Sequence, residues 1–367
     1  MDDDKDRWSK LPEDILEKIV SSLDVKSMVR VSSLTKSSRQ LKKLWPPFYP
    51  SIALDFSPCP SSHTDHYGSF FPKLRHYTKL NKLELHCRRQ DKVRKITSKI
   101  NLGKIIEFAT TLYVDHIVFT ASGFTIPNQM FSCNSLITVE LKGCHFSPND
   151  LRFPTVRTLR LEHCRFLFRD KECSSGGVDF RQGCPKLIAL SLVKCIFSGK
   201  YLSFQELVKM TMGPNLVNLT IVAGGCVNSD SHQFEIRAPG LEDFTLLHNS
   251  SGYVRFPSVD FPALKHAVVD ASKPIYPQEH QRELCLSLFT FLQGLHNAEF
   301  VSLSYSIIQT LSMVPGIMED QPSPFRRLKS LTLELTSDLK HWQIPAKVVT
   351  YLLSGSPAGS ADLLIES

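Results

Sequence analysis

The sequence is poor in the signatures that mark an enzyme or a membrane protein. No run of about 18 apolar residues occurs, so no spanning helix is expected. None of the ten cysteines forms a Cys-x-x-Cys pair, which leaves zinc without its usual ligand spacing. The pairs Gly176-Gly177 and Gly224-Gly225 lack the surrounding residues of a phosphate-cradling loop, and no Gly-x-Ser-x-Gly elbow is present. The thirteen histidines are scattered and mark out no catalytic constellation. No catalytic residue, metal site or cofactor is therefore expected.

Charge of one sign is also scarce. The 43 Lys+Arg against 36 Asp+Glu leave a net +7 over 367 residues, too mild to imply a nucleic-acid partner. Its densest basic run, Arg88-Arg89-Gln90-Asp91-Lys92-Val93-Arg94-Lys95, lacks interleaved aromatics and reads as a solvated face. Met1-Asp2-Asp3-Asp4-Lys5-Asp6 is acidic and carries no apolar h-region. Reduced cysteines in the nucleus or cytoplasm are the expectation.

What is present begins near the N-terminus. Leu11, Ile15, Leu16, Ile19, Val20 and Leu23 recur at helical spacing, with Glu13, Asp14, Glu17 and Lys18 opposite. Pro12 suits a first helical turn, where its missing N–H costs nothing, and Glu13 and Asp14 oppose the helix dipole. A polar break at Asp24-Val25-Lys26-Ser27 precedes two further short helical patterns, which end at Pro46-Pro47. Three helices in so few residues cannot close a core alone, so this module needs another surface. Residues 47–79 form a Pro-rich joint with one possible strand at Ser51 to Phe56.

From residue 80 a second pattern takes over: apolar, two residues, apolar, one residue, apolar. It recurs ten times, at Leu80-Leu83-Leu85, Val114-Ile117-Phe119, Leu136-Val139-Leu141, Val156-Leu159-Leu161, Leu187-Leu190-Leu192, Leu216-Leu219-Ile221, Leu241-Phe244-Leu246, Leu264-Ala267-Val269, Ala298-Val301-Leu303 and Leu328-Leu331-Leu333. Such a unit is leucine-rich in type, gives one strand per copy, and must stack on its neighbours to bury its apolar face. Cys144, Cys164 and Cys195 fall at the Asn/Cys position of three copies. Pro154, Pro185, Pro214, Pro239 and Pro262 stand just ahead of copies and are expected to keep the incoming chain extended. The irregular spacing predicts short helices and loops between strands, the best helix candidates being Asn101 to Ala109 and Gln281 to Gly294. A doubly wound sheet would want longer buried runs and a Gly-rich turn.

The N-terminal pattern over residues 8–46 resembles an F-box, through Leu11-Pro12-Glu13-Asp14-Ile15-Leu16, Val31-Ser32-Ser33-Leu34-Thr35-Lys36 and Leu44-Trp45. It departs from many members at Asp24, where they carry Pro, and near Ser37-Ser38-Arg39, where they carry Arg-Trp. The tail resembles the FBD segment of plant F-box/leucine-rich proteins. Its order is Phe325 to Leu333, then Trp342-Gln343-Ile344-Pro345, Val348 to Pro357 and Asp362 to Glu366.

The fold expected is α/β. A small helical F-box module (8–46) and a joint (47–79) precede an irregular leucine-rich solenoid or horseshoe (80–324) and an FBD-like cap (325–367) that hides the last apolar face. The resemblance implies docking of Leu11, Pro12, Ile15, Leu16, Ile19 and Leu23 on a Skp-type adaptor, and through it a cullin, in a ubiquitin ligase. The chain would then be the non-catalytic subunit that recognises an unknown target protein. By strand alternation, Thr138, Glu140, Thr158, Arg160, Ala189, Ser191, Asn218, Thr220, Asp243 and Thr245 point outward, with Glu140, Arg160, Ser191, Thr220 and Thr245 as target-binding candidates. The alternative is a leucine-rich interaction scaffold with no role in ubiquitination. An α/β hydrolase or transferase ranks far below both.

Overall fold

The computed structural model describes residues 11–12, 14–15, 18–19, 48–55, 79–87, 102–123, 125–126, 128–131, 133–168, 177–199, 207–223, 233–248, 256–271, 281–313, 315–334, 344–356 and 362–366. It is a mixed α/β protein built mainly from parallel strands. The chain divides into two compact units, Met1–Val139 and Glu140–Ser367.

In the first unit, β1 (Phe48–Asp55), β2 (Lys79–Cys87) and β3 (His116–Ala121) pair in parallel, with Ile52, Leu83 and Ile117 in register. These three side chains are buried, as are Leu85 and Phe119 two residues on. A helix α1 (Leu102–Thr111) buries Ile105, Ile106 and Ala109. A single short turn, α2 (Asn128–Phe131), buries Met130.

β4 (Thr138–Lys142) spans the division. The second unit's main sheet runs from it in the order β4, β6 (Thr158–Glu162), β9 (Ala189–Val193), β12 (Asn218–Ala223), β14 (Asp243–His248), β16 (His266–Ala271), β17 (Phe300–Ser304), β18 (Ser330–Glu334) and β19 (Asp362–Glu366). All ten copies of the sequence pattern thus become strands, β2 to β18. The register keeps equivalent residues together: Leu159, Leu190, Leu219, Phe244, Ala267, Val301 and Leu331 make one row. Each is buried. Parallel pairing at equal register is what stacking identical units demands, because any slip would turn an apolar residue to water.

Between these strands the chain makes more strand than the spacing suggested. β5 (His145–Phe146), β7 (Arg165–Phe168) and β10 (Ile196–Gly199) form a three-stranded sheet in the order β10-β7-β5. β8 (Val178–Asp179), β11 (Leu207–Thr211), β13 (Gln233–Arg237) and β15 (Ser258–Asp260) form a four-stranded one. The period-two run Val208-Lys209-Met210-Thr211-Met212 carried that signal: Val208, Met210 and Met212 are buried and Lys209 exposed. After β8 comes a one-turn helix, α3 (Phe180–Gly183).

The longer connections carry helices. α4 (Gln281–Gly294) spans the expected residues and buries Leu284, Leu288, Phe291 and Leu292. A Cβ on Gly294 would lie 2.5 Å from the Val259 carbonyl oxygen, so only glycine permits that approach. α5 (Tyr305–Ser312) follows β17 directly, then α6 (Pro315–Asp320) and α7 (Ala346–Leu353).

The prolines act differently from the extended role expected of them. Pro185, Pro214, Pro239 and Pro262 each occupy the second position of a turn, closed by Leu187 N to Cys184 O at 3.1 Å, Leu216 N to Gly213 O at 3.2 Å, Leu241 N to Ala238 O at 3.2 Å and Leu264 N to Phe261 O at 3.3 Å. Proline's fixed φ is preset for that position, so it reverses the chain into each strand. The last strand also departs from expectation. Leu363 and Ile365, which continue the buried rows, are 39% and 55% exposed. Among the described residues β19 has a strand on one side only, and its apolar face stays wet.

Candidate docking surfaces

The N-terminal stripe starts a helix where proline should start one. Ile15 N donates to Pro12 O at 3.1 Å, and Asp14, Ile15, Lys18 and Ile19 are helical. Leu11 and Ile15 are 37% and 38% exposed, Pro12 is exposed, and Ile19 is half-buried. Leu16 and Leu23 lie outside the described residues, as do the second and third helical patterns and the basic run at 88–95. Large apolar side chains at helical spacing are normally inside. Here two of them meet water.

The second surface is the open face of the main sheet. Arg160, Ser191, Thr220 and Thr245 occupy one row in register across β6, β9, β12 and β14, and Glu140 lies on neighbouring β4. All five are partly exposed, while the residues between them face the core. Thr158, Ala189, Asn218 and Asp243 form the adjacent row. Thr138 is partly exposed on β4. The face continues where sequence reasoning stopped. Val268, Ser302 and Thr332 extend the first row, and His266, Phe300 and Ser330 the second. The same alternation, read along β16, β17 and β18, would have found them.

Hydrogen bonding fixes much of this face. His266 Nδ1 lies 2.7 Å from Asp243 Oδ1, and its ring stacks on Phe300 with centroids 5.0 Å apart. Lys142 Nζ and Arg160 Nη2 approach Glu162 Oε2 at 3.2 and 3.4 Å. Partial burial pushes the Glu162 carboxyl up, but the hydrogen bond and charge of Lys142, with Arg160, outweigh it and hold the group below its ordinary value of 4.5. A carboxylate depressed in the folded state adds stability above its unfolded value and loses it as pH falls through the folded one. Glu162→Gln should therefore cost about 0.5–1 kcal/mol at pH 7, by urea midpoint, and the difference should close as pH falls through the lowered folded-state value of the carboxyl.

At the corner beyond this face, three copies turn alike. Gly143, His163 and Lys194 take positive φ of 70°, 51° and 50°, each just ahead of Cys144, Cys164 and Cys195. Cys164 Sγ donates to Leu141 O and Cys195 Sγ to Leu161 O, both at 3.3 Å. Each thiol thus holds the carbonyl of the preceding copy. The neighbouring Cys144 thiol draws Cys164 below the usual thiol value, whereas burial pushes Cys195 up. The described residues contain no group of three metal-capable side chains, and no helix among them is long and apolar enough to cross a membrane.

Residues 8–46 match the F-box domain. An Arabidopsis thaliana F-box/LRR-repeat protein is 25% identical over 276 residues, covering 74% of this chain and 77% of the relative. A second F-box/LRR-repeat protein of that plant is 24% identical over 375 residues, 94% of this chain and 71% of the relative. The chain thus carries an F-box match and is similar, over most of its length, to plant F-box/LRR-repeat proteins. A putative F-box/FBD/LRR-repeat protein, also from Arabidopsis thaliana, is 27% identical over 198 residues, 53% of this chain but only 43% of the relative.

Proposed function

We propose that this chain is the target-recognition subunit of a Skp-cullin-F-box ubiquitin ligase. The carrying observation is the F-box match at 8–46, within which Leu11 and Ile15 present apolar surface to water. In this reading Leu11, Pro12, Ile15, Leu16, Ile19 and Leu23 dock on a Skp-type adaptor and thereby join a cullin. The copies at 80–324 form a leucine-rich solenoid whose open face is concave and holds the target through Glu140, Arg160, Ser191, Thr220 and Thr245. Residues 325–367 serve as an FBD-like end segment.

The chemistry asked of such a subunit is positional. Holding a target beside a charged ubiquitin-conjugating enzyme raises effective concentration and fixes orientation, and no bond is made by the chain itself. No nucleic acid or membrane enters this scheme, and it places the protein in the nucleus or cytoplasm. The test is co-expression of the full chain with a plant Skp-type adaptor and cullin. Stoichiometric co-purification, and ubiquitin transfer that depends on the chain, are the expected results. A chain that purifies without adaptor would leave the leucine-rich scaffold as the reading.

A further inference from the structure

We propose that the open face of the second unit takes an extended peptide with an apolar centre and a basic flank, the flank lying over β16 to β19. This rests on the reading that the face holds the target, and it adds the chemistry that the target must offer.

The face is sorted by chemistry along the strand order. On β9, β12 and β14, Val193, Val222 and Leu247 stand side by side in register and are half-buried. Beside them, Ser191, Thr220 and Thr245 are too short to cover this apolar strip. On β16, Val268 lies in the Thr245 row, diagonal to Leu247, and adds apolar surface beside the strip. An apolar segment laid here would bury surface that nothing longer on the neighbouring positions screens.

Beyond the strip the sign of charge becomes uniform. Asp270 is in register with Leu247 and has no ion-pair partner among the described residues. Glu334 is exposed and accepts a hydrogen bond from Ser302 Oγ at 2.5 Å, with no cation on it among those residues. Asp362 is exposed at the start of β19. No lysine or arginine occupies an outward position on β16, β17, β18 or β19. His266 is engaged with Asp243, and Lys265 and Lys329, one residue ahead of β16 and β18, are paired with Glu242 and Glu299. The opposite end differs, because Lys142 and Arg160 already share Glu162. Among its described residues this net +7 chain thus keeps an acidic sector without a paired cation beside its apolar strip, which suits lysine or arginine on a partner and repels phosphate.

Length follows from the lattice. Seven strands from β9 to β19 at about 4.8 Å spacing span about 29 Å, or about nine residues of extended chain at 3.3 Å each. The probe is a fluorescein-labelled nonapeptide with alternating valine and leucine followed by Lys-Arg-Lys, compared with the same peptide ending Glu-Asp-Glu. Anisotropy with the full chain should show the basic peptide binding about tenfold tighter, and more weakly as salt rises. The Asp270→Lys/Glu334→Lys variant should reverse the preference. Both residues are solvent-facing, and unchanged circular dichroism verifies the fold.

Equal binding of the two peptides, binding of neither, or a variant that keeps the wild-type preference would overturn the proposal. So would tighter binding of a phosphorylated or nucleic-acid probe. Adaptor capture from the same preparation separates the two readings. Normal adaptor binding without peptide discrimination sinks the partner chemistry alone. Peptide discrimination without adaptor supports this face within a scaffold and removes the ligase.

Discussion

Phe166→Ala is expected to lower the stability of the second unit by about 4 kcal/mol, read as a drop in urea midpoint with little change in slope. Phe166 is fully buried on β7, the middle strand of its three-stranded sheet. Its ring stacks on Phe197 with centroids 4.7 Å apart and planes at 6°, and meets Phe146 edge-on at 4.7 Å and 73°. Phe197 in turn meets Phe234 at 5.2 Å. Truncation removes a buried ring and also breaks a chain of four aromatics that joins successive copies. A Phe-to-Ala change in a core costs about 3–5 kcal/mol, and each aromatic contact adds about 0.5–1.5 kcal/mol beyond area. In a stack of copies each unit is held mainly by its neighbours, so the loss falls on the joints as well as on one copy. Leu286→Ala, on the exposed side of α4, should change stability by under about 0.5 kcal/mol. A Phe166→Ala midpoint as small as that would mean the aromatic chain does not couple the copies.

Much of this architecture was legible because one constraint is repeated. A strand in a parallel stack must bury residues three and five after the first apolar residue of its copy, so Leu187-Leu190-Leu192 and Leu241-Phe244-Leu246 announce themselves without reference to anything distant. The helix at Gln281–Gly294 was legible for the same kind of reason, an apolar stripe at period 3.6. The connecting strands were harder. β8 and β15 are two and three residues long, and so short a run carries no period; their strand state comes from pairing with β11 and β13. The prolines misled because proline suits both extended chain and the second position of a turn. What decides is whether the residue two further on donates back, as Leu216 does to Gly213, and that is a tertiary fact.

The candidate surfaces divide along the same line. That Ser191, Thr220 and Thr245 face outward followed from alternation alone. That an acidic sector lies beside an apolar strip did not, because Leu247 and Asp270 become neighbours only through the register of β14 with β16. Exposure of Leu11 and Ile15 was likewise beyond periodicity, since the same stripe would serve equally well inside a core.

Ile15→Asp combined with Leu11→Asp is expected to abolish co-purification with a Skp-type adaptor while leaving the urea midpoint of the second unit unchanged. Both side chains are more than a third exposed, so the substitutions vacate no packed core. An aspartate in the first helical turn also favours the helix dipole, so local structure should not suffer. The docking cost is different in kind. An apolar anchor at the centre of an interface contributes about 2 kcal/mol or more, and a carboxylate in its place must shed water without gaining a partner. Two such changes amount to a loss of more than about a hundredfold in affinity, enough to empty a pull-down. Adaptor binding at the wild-type level would mean that the exposed stripe is incidental and the F-box reading of its role is wrong. The pairing with Phe166→Ala makes the result decisive: that variant should weaken the folded second unit yet still bring the adaptor with it at low temperature, and the Asp variant should do the reverse.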